Sequence, residues 1–285
     1  MTIFTSKREI VRVLISPYRL LTSSLRSMPN FIIIGAAKCG TTSLYKYLIQ
    51  HPNIKFAFQK EPSFFNTYFD KGVSWYRSNF PINNRQSFIT GEASPGYFHY
   101  PPAPQRIAKL IPSIKLIVLL RNPVDRACSL YYHNLKYLGN KDTCPFEQAI
   151  KKEAERLDDE LQKIINNEKN YNMRSYYHLH KKYYHHAYLR RCIYIDYIKQ
   201  WLRFFSKKQL LILKSEDLFE KPEKTYARVL DFMNLPKWNL KEYQKYNLNQ
   251  YQQMNYSTRN YLIDYFKPHN KMLYEYLDMN FDWDK

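Results

Sequence analysis

Apolar residues along this chain fall into short unbroken runs, set between longer stretches where apolar positions recur at helical spacing. Phe31-Ile32-Ile33-Ile34 is one such run and ends in Gly35. Lys115 to Leu120 is the clearest, and Gln209 to Leu213 is the last. Short runs without alternation predict strands buried on both faces, as in a parallel sheet. Weaker strands are predicted over Ile54 to Phe58 and Phe88 to Thr90. Between them, Thr41 to Gln50 places Leu44, Tyr47 and Leu48 on one helical face and is stopped by His51-Pro52-Asn53. Glu61-Pro62 predicts a short helix through Phe64 and Phe65, with proline in its first turn. Further helices are predicted over Ser74–Phe80, Pro104–Leu110, Pro123–Leu138, Phe146–Asn166, Tyr188–Phe205, Pro222–Met233, Ser257–Phe266 and Asn270–Met279. Strands alternating with helices imply an α/β fold with a mostly parallel central sheet and helices on both faces. No Pro/Gly/Ser-rich linker and no repeat interrupts the chain. It therefore reads as a basic N-terminal segment over 1–30 and a single domain over 31–285. Such sheets bind ligands at the carboxyl ends of their strands, which points to the loops after Ile34, Thr90 and Leu120.

The first of these loops reads Gly35-Ala36-Ala37-Lys38-Cys39-Gly40-Thr41-Thr42-Ser43 and opens a helix. A strand–loop–helix with glycine at both ends of the loop presents backbone N–H groups around an anion, with the positive end of the helix behind them. Lys38 adds a mobile charge; Thr41, Thr42 and Ser43 add hydroxyls in the first helical turn. The candidate phosphate-binding residues are therefore Ala37, Lys38, Cys39, Gly40, Thr41, Thr42 and Ser43, in a P-loop-like domain. Against the nucleotide-binding pattern G-x-x-x-x-G-K-[ST], the glycines match, but Thr41 stands where the lysine belongs. An ordinary tight strand-to-helix turn is the other reading of the glycines; the lysine and three hydroxyls favour a phosphate. A kinase would also need an aspartate at a strand end to hold Mg²⁺. The strongest strand ends instead in Arg121, so positive charge and no metal is expected.

That arginine begins Arg121-Asn122-Pro123-Val124-Asp125-Arg126-Ala127-Cys128-Ser129. Arg121 can fork onto a phosphate, and Ser129, about two helical turns on, can share it only if the helix packs back toward the loop. Asp125 reads as a cap or pair within its helix and Arg126 as a surface charge. Lys60-Glu61-Pro62-Ser63-Phe64-Phe65 places a carboxylate at a helix start beside aromatic rings. Glu61 is thus either a first-turn residue favouring the helix dipole or a general base whose pKa the rings would raise.

The net charge of +19 draws polyanions: nucleic acid, acidic membranes, acidic glycans or a multiply charged nucleotide. Hydrophobic content of 45% with 17% aromatics excludes a disordered chain. Cys39, Cys128, Cys144 and Cys192 show no paired spacing, so neither a zinc site nor a disulfide framework is expected, and a reducing, cytoplasmic location fits. No run of about 18 apolar residues reads as a membrane span. Residues 1–30 carry Lys7, Arg8, Arg12, Arg19 and Arg26 among Ile, Val and Leu. They read as a loosely packed helix or a frayed tail, with peripheral membrane contact through an interfacial basic helix as the other reading. Residues 169–191 hold six Lys/Arg, six Tyr and His178, His180, His185 and His186, read as a solvated surface or, second, a glycan-binding rim rather than a metal site.

In this order, the three segments resemble the PAPS-dependent carbohydrate sulfotransferases (PAPS is 3′-phosphoadenosine 5′-phosphosulfate), especially the heparan-sulfate N- and 3-O-sulfotransferase type and its bacterial relatives. Lys71-Gly72-Val73-Ser74-Trp75-Tyr76, Gly91 to Phe98, Arg191-Cys192-Ile193-Tyr194 with Trp201, and the closing Pro268 to Trp283 are similar to further family segments. The resemblance implies that the loop from Gly35 to Ser43 binds the 5′-phosphosulfate, that Arg121 and Ser129 bind the 3′-phosphate, and that Lys38 and Glu61 are catalytic, with Glu61 the base. It implies PAPS as sulfuryl donor and a carbohydrate or glycoconjugate as acceptor. Two departures are plain: Ala93 replaces a lysine that some members use on the acceptor side, and residues 247–258 lack the family's Lys-Gly-x-x-Arg element, leaving Tyr251 or Tyr256 as candidates to stack on adenine. A nucleic-acid-binding protein and a P-loop kinase are the rival classes. The spread of charge along the chain, with no nucleic-acid motif, argues against the first, and Arg121 against the second.

Overall fold

A computed structural model describes residues 15–83, 88–137, 144–155, 157, 186–244, 246 and 254–284. The apolar runs form strands β1 (Phe31–Gly35), β2 (Ile54–Phe56), β3 (Ile89–Ala93), β4 (Lys115–Leu120) and β5 (Leu210–Lys214). Among the described residues these pair in one all-parallel sheet, in the order β2-β3-β1-β4-β5. In the centre, Ile32 pairs with Glu92 of β3 on one side and Leu116 of β4 on the other. Phe31 to Ile34 are fully buried, which is why this strand reads as an unbroken apolar run. The order matters for function. The loops after β3, β1 and β4, from three adjacent strands, open side by side at one edge of the sheet.

The helices are α1 (Thr41–Leu48), α2 (Gly72–Arg77), α3 (Ala103–Leu110), α4 (Pro123–Tyr137), α5 (Phe146–Lys151), α6 (Tyr194–Leu202), α7 (Ser215–Glu220), α8 (Pro222–Phe232) and α9 (Tyr256–Leu277). The remainder of the long helix predicted after Phe146, most of 169–191 and residues 247–253 of the 247–258 segment lie outside the described residues.

Three predicted helices differ, each for a reason in hydrogen bonding or packing. Glu61 to Phe65 is not a helix. Ala93 donates to Lys60 O and Ser63 N–H donates to Ser94 Oγ, so this segment's polar groups are spent on the end of β3; Ser63 takes a left-handed φ of 51°. Tyr188 to Phe205 breaks into a short turn at Arg190–Cys192 and then α6. The buried Glu153 carboxyl accepts the N–H groups of Tyr188, Leu189 and Arg190, and Ile193, at φ −82° and ψ 82°, leaves the helical region between the turn and α6. The two closing helices are one: α9 runs through Pro268. Asn255 caps it by accepting Thr258 N–H, and Leu262, Phe266, Asn270 and Leu273 bury one continuous stripe that outweighs the bond the proline removes.

Residues 15–26 are docked, not frayed. Arg19 donates to Ser78 O at 2.7 Å and Phe80 O at 2.9 Å, Arg26 donates to Phe80 O at 2.9 Å, and Leu21 and Leu25 face outward. Burial of its guanidinium, then Arg26 alongside, lowers the pKa of Arg19 to about 10. Among the described residues no helix is long and apolar enough to cross a membrane.

Gly91 marks the tightest contact between β3 and β1. A Cβ there would lie 2.4 Å from Phe31 O and 2.7 Å from the Phe31 ring. Gly91→Ala is expected to cost about 1–3 kcal/mol by overpacking, read as a lower midpoint in urea unfolding. An unchanged midpoint would mean the two strands shift apart freely.

Candidate active site

The loop after β1 is held from behind. Its successive carbonyls at Ala37, Lys38 and Cys39 accept from Arg126 Nε (3.0 Å), Arg121 Nη1 (3.4 Å) and Ser215 Oγ (2.9 Å). Ala36 N–H donates to Leu119 O of β4 at 2.9 Å. With these three carbonyls bonded into the scaffold, and Cys39 N–H spent on Ala36 O at 3.2 Å, the loop keeps its other N–H groups and its side chains for an anion. Gly40 makes the last bend at φ 89°, and a Cβ there would meet Leu218 and Phe219 at 3.0 Å. It is also the N-cap of α1 and offers no side-chain acceptor, so the first turn of the helix keeps its positive end toward the loop.

The cations cluster at this loop. Lys38 sits in the left-handed region at φ 70°. Burial, and next the nearby Arg121 guanidinium, lower the pKa of its ammonium. Arg121 itself is steered by its backbone: Tyr194 Oη donates to Arg121 O at 2.7 Å. Asn122 begins α4 by accepting Val124 N–H at 3.0 Å, and its own N–H donates to Glu216 Oε1 at 2.8 Å.

Helix α4 packs back toward the loop, the condition Ser129 requires. Arg126 is the tie, and it corrects the reading of that residue as a surface charge. It is fully buried and donates to Ala37 O, Arg191 O and Cys192 Sγ, with His99 Nε2 3.2 Å away. Burial, followed by the charges of Arg126 and Arg191, holds His99 neutral, well below the usual histidine range. Ser129, one turn on along the same face, is buried. Asp125 pairs with Arg259 of α9 at 2.8 Å rather than within its own helix.

His133, a further turn along α4, was not singled out from the sequence. Burial, then the charges of Lys38 and Arg191, push its imidazole down to about 4, so it stands neutral beside the loop. The signal that identifies it is spacing: 126, 129 and 133 lie on one helical stripe.

Glu61 reaches the loop from the other side. Its carboxylate is exposed and lies 2.5 Å from Lys60 Nζ, and that same Nζ donates to Thr42 Oγ1 at 2.7 Å. The aromatic surroundings expected for Glu61 are absent, because Phe64 and Phe65 turn inward, where Phe64 stacks on Tyr76 at 4.6 Å. Thr41 and Ser43 are buried, and Ser43 Oγ accepts Tyr246 N–H at 3.3 Å, which brings the chain just before residues 247–258 onto α1. Tyr246 in turn covers Lys46, its ring 3.9 Å from the ammonium. Tyr256 is exposed in the first turn of α9, and Tyr251 lies outside the described residues. Cys39, Cys128, Cys144 and Cys192 are free thiols.

Residues 28–272 match the family model described as "Sulfotransferase domain". The membrane-associated sulfotransferase kil1 of Dictyostelium discoideum is 30% identical, over 91% of this chain and 67% of its own length. The human heparan sulfate glucosamine 3-O-sulfotransferase 3A1 is 32% identical, over 76% of this chain and 47% of its own length. The chain thus spans about two thirds of the first relative and under half of the second. A crystal structure of a sulfotransferase from Alicyclobacillus acidocaldarius superposes with a TM-score of 0.68 at 25% identity, covering 91% of this chain and all of that one.

Arg126→Met keeps the bulk but removes every donor. Each carbonyl left buried without a partner is expected to cost about 1–3 kcal/mol, so thermal unfolding should shift well below wild type. Unfolding at the wild-type temperature would show that the guanidinium is not the tie.

Proposed function

This chain belongs to the sulfotransferase family, and from that premise we propose that it moves a sulfuryl group from PAPS to a hydroxyl or amine of a carbohydrate acceptor. The observation that carries this reading is the pairing of Lys38 with Arg121 at a loop whose Ala37, Lys38 and Cys39 carbonyls are bonded into the scaffold. Two cations pressed together in a partly dry site repel one another, and a multiply charged phosphate relieves that repulsion. The donor set therefore suits an anionic nucleotide.

When bound, PAPS supplies the sulfuryl group. The loop over Ala37 to Ser43 holds its 5′ end by N–H groups, with the Thr41 and Thr42 hydroxyls in the first helical turn. Arg121 and Ser129 hold the 3′-phosphate. Lys38 carries positive charge where the leaving oxygen becomes negative, and partial burial strengthens that effect. The acceptor's proton passes to Glu61, which lies on the far side of the loop from Arg121. Lys60, bonded to both Glu61 and Thr42, couples the base to the loop. A carbohydrate is the acceptor favoured by likeness to the heparan sulfate enzymes.

Transfer from radiolabelled PAPS to a panel of glycans tests both halves. Lys38→Ala is expected to lower kcat by roughly a hundred- to a thousandfold. Glu61→Gln should bind PAP, the desulfated nucleotide, as wild type does and fail to transfer. Near-normal turnover by Lys38→Ala would remove the loop from the mechanism, and label on non-carbohydrate hydroxyls alone would overturn the acceptor class.

A further inference from the structure

At the end of β3, the side of the site opposite the arginines, Glu92 is a fully buried carboxyl group with no cation bonded to it among the described residues. Three hydroxyls donate to it: Tyr76 at 2.8 Å and Tyr97 at 3.1 Å to Oε1, and Ser94 to Oε2. Two of these hydroxyls also accept a backbone N–H from the segment carrying Glu61. Ser94 Oγ accepts Ser63 N–H at 3.1 Å, and Tyr97 Oη accepts Phe65 N–H at 3.4 Å. Next to them, Ala93 N–H donates to Lys60 O at 2.9 Å. The rings agree with the bonds. Phe64 stacks on Tyr76, and Phe65 packs edge-on against Tyr76 and Tyr97 at 5.0 and 5.5 Å.

The polarity of this network is fixed by its ends. A backbone N–H can only donate, so Ser94 and Tyr97 must accept there and send their own protons inward. Tyr76 sends its proton inward as well. Only a group that accepts three times closes the network, and an ionised carboxylate does so. We propose that Glu92 is the positioning residue of the catalytic base: its carboxylate fixes the Lys60–Phe65 segment to the end of β3 and so sets where Glu61 stands. This rests on the reading of Glu61 as the base.

A glutamine keeps the shape and breaks the closure. Its amide has one accepting oxygen, so either Ser94 or the tyrosine pair must turn its proton away, and the strap to Ser63 or Phe65 loosens. Charge state matters in the same way. Burial above all, with the charge of Glu61 adding, raises Glu92 to about 7, while its three hydroxyl donors oppose that rise. The titratable groups facing it are Tyr76 from α2, Tyr97 from the turn after β3, Tyr45 from α1 and Glu61, and the tyrosines are all pushed upward and stay neutral here. As pH falls through neutrality Glu92 gains a proton, becomes a donor and opposes the closed network. Wild-type turnover is therefore expected to fall on the acid side near neutrality.

The test measures kcat, KM for PAPS and PAP affinity across pH for wild type, Glu92→Gln, Ser94→Ala and Glu61→Gln. Glu92→Gln should lose kcat roughly ten- to a hundredfold, keep PAP affinity within about twofold because the nucleotide residues sit on β1 and β4, and lack the near-neutral acid limb. Ser94→Ala, which removes one strap and leaves Glu92 in place, should show a smaller loss of the same kind; if Glu92→Gln does not fold, this variant alone decides. Wild-type kcat in both variants, or equal losses in kcat and PAP affinity, would overturn the positioning role. An active Glu61→Gln would instead overturn the underlying assignment of the base.

Discussion

The buried guanidinium of Arg126 is the joint on which the site depends. A fully buried cation is tolerated only where its donors are spent, and Arg126 spends them on the loop after β1 at Ala37, on the Arg191–Cys192 turn and beside His99. These partners come from the loop after β1, the turn after β3 and the turn before α6. One side chain thus registers three separate chain segments and pulls α4 onto the loop. The stripe it heads continues through Ser129, which is buried, and His133, which lies near enough to Lys38 to feel its charge.

From that joint the site divides by charge. The β4 side is cationic, with Arg121 and Lys38 close enough to depress the lysine. The β3 side is acidic, with Glu61 at the surface and Glu92 beneath it. The parallel order β3-β1-β4 separates the two sides by the width of one strand, with the Gly35–Ser43 loop between them. A nucleotide on one side and an acceptor on the other would meet over the loop, the arrangement an in-line group transfer asks of a protein that works by positioning and fixed charge. Lys60 ties the acidic side to that loop, through Glu61 and Thr42.

Much of this was legible in the residues. Runs such as Lys115 to Leu120 named their strands because both faces are buried, and the glycines around Lys38 named the loop: Gly40 takes a left-handed bend, and a Cβ at Gly35 would lie 2.5 Å from Phe98. What stayed hidden depended on distant partners. Nothing local distinguishes Arg126 from a solvated arginine; its partners lie 65 and 89 positions away. The segment after Glu61 carries the marks of a helix start, but its donors are claimed by Ser94 and Tyr97. Pro268 marks a helix end, and a buried stripe on either side carries α9 through it. In each case tertiary bonding overrode a local preference worth only a few kcal/mol.

In the proposed function the loop after β1 and the segment after β4 form one anion cradle that needs no metal. A thermal-shift titration with PAP, set against ATP with Mg²⁺, tests it most directly, because a ligand that binds only the native state must raise the melting temperature. A dose-dependent rise with PAP in the presence of chelator, with little effect of ATP and Mg²⁺, is the predicted result. A rise only with ATP and Mg²⁺, or none with PAP at saturating concentration, would contradict it.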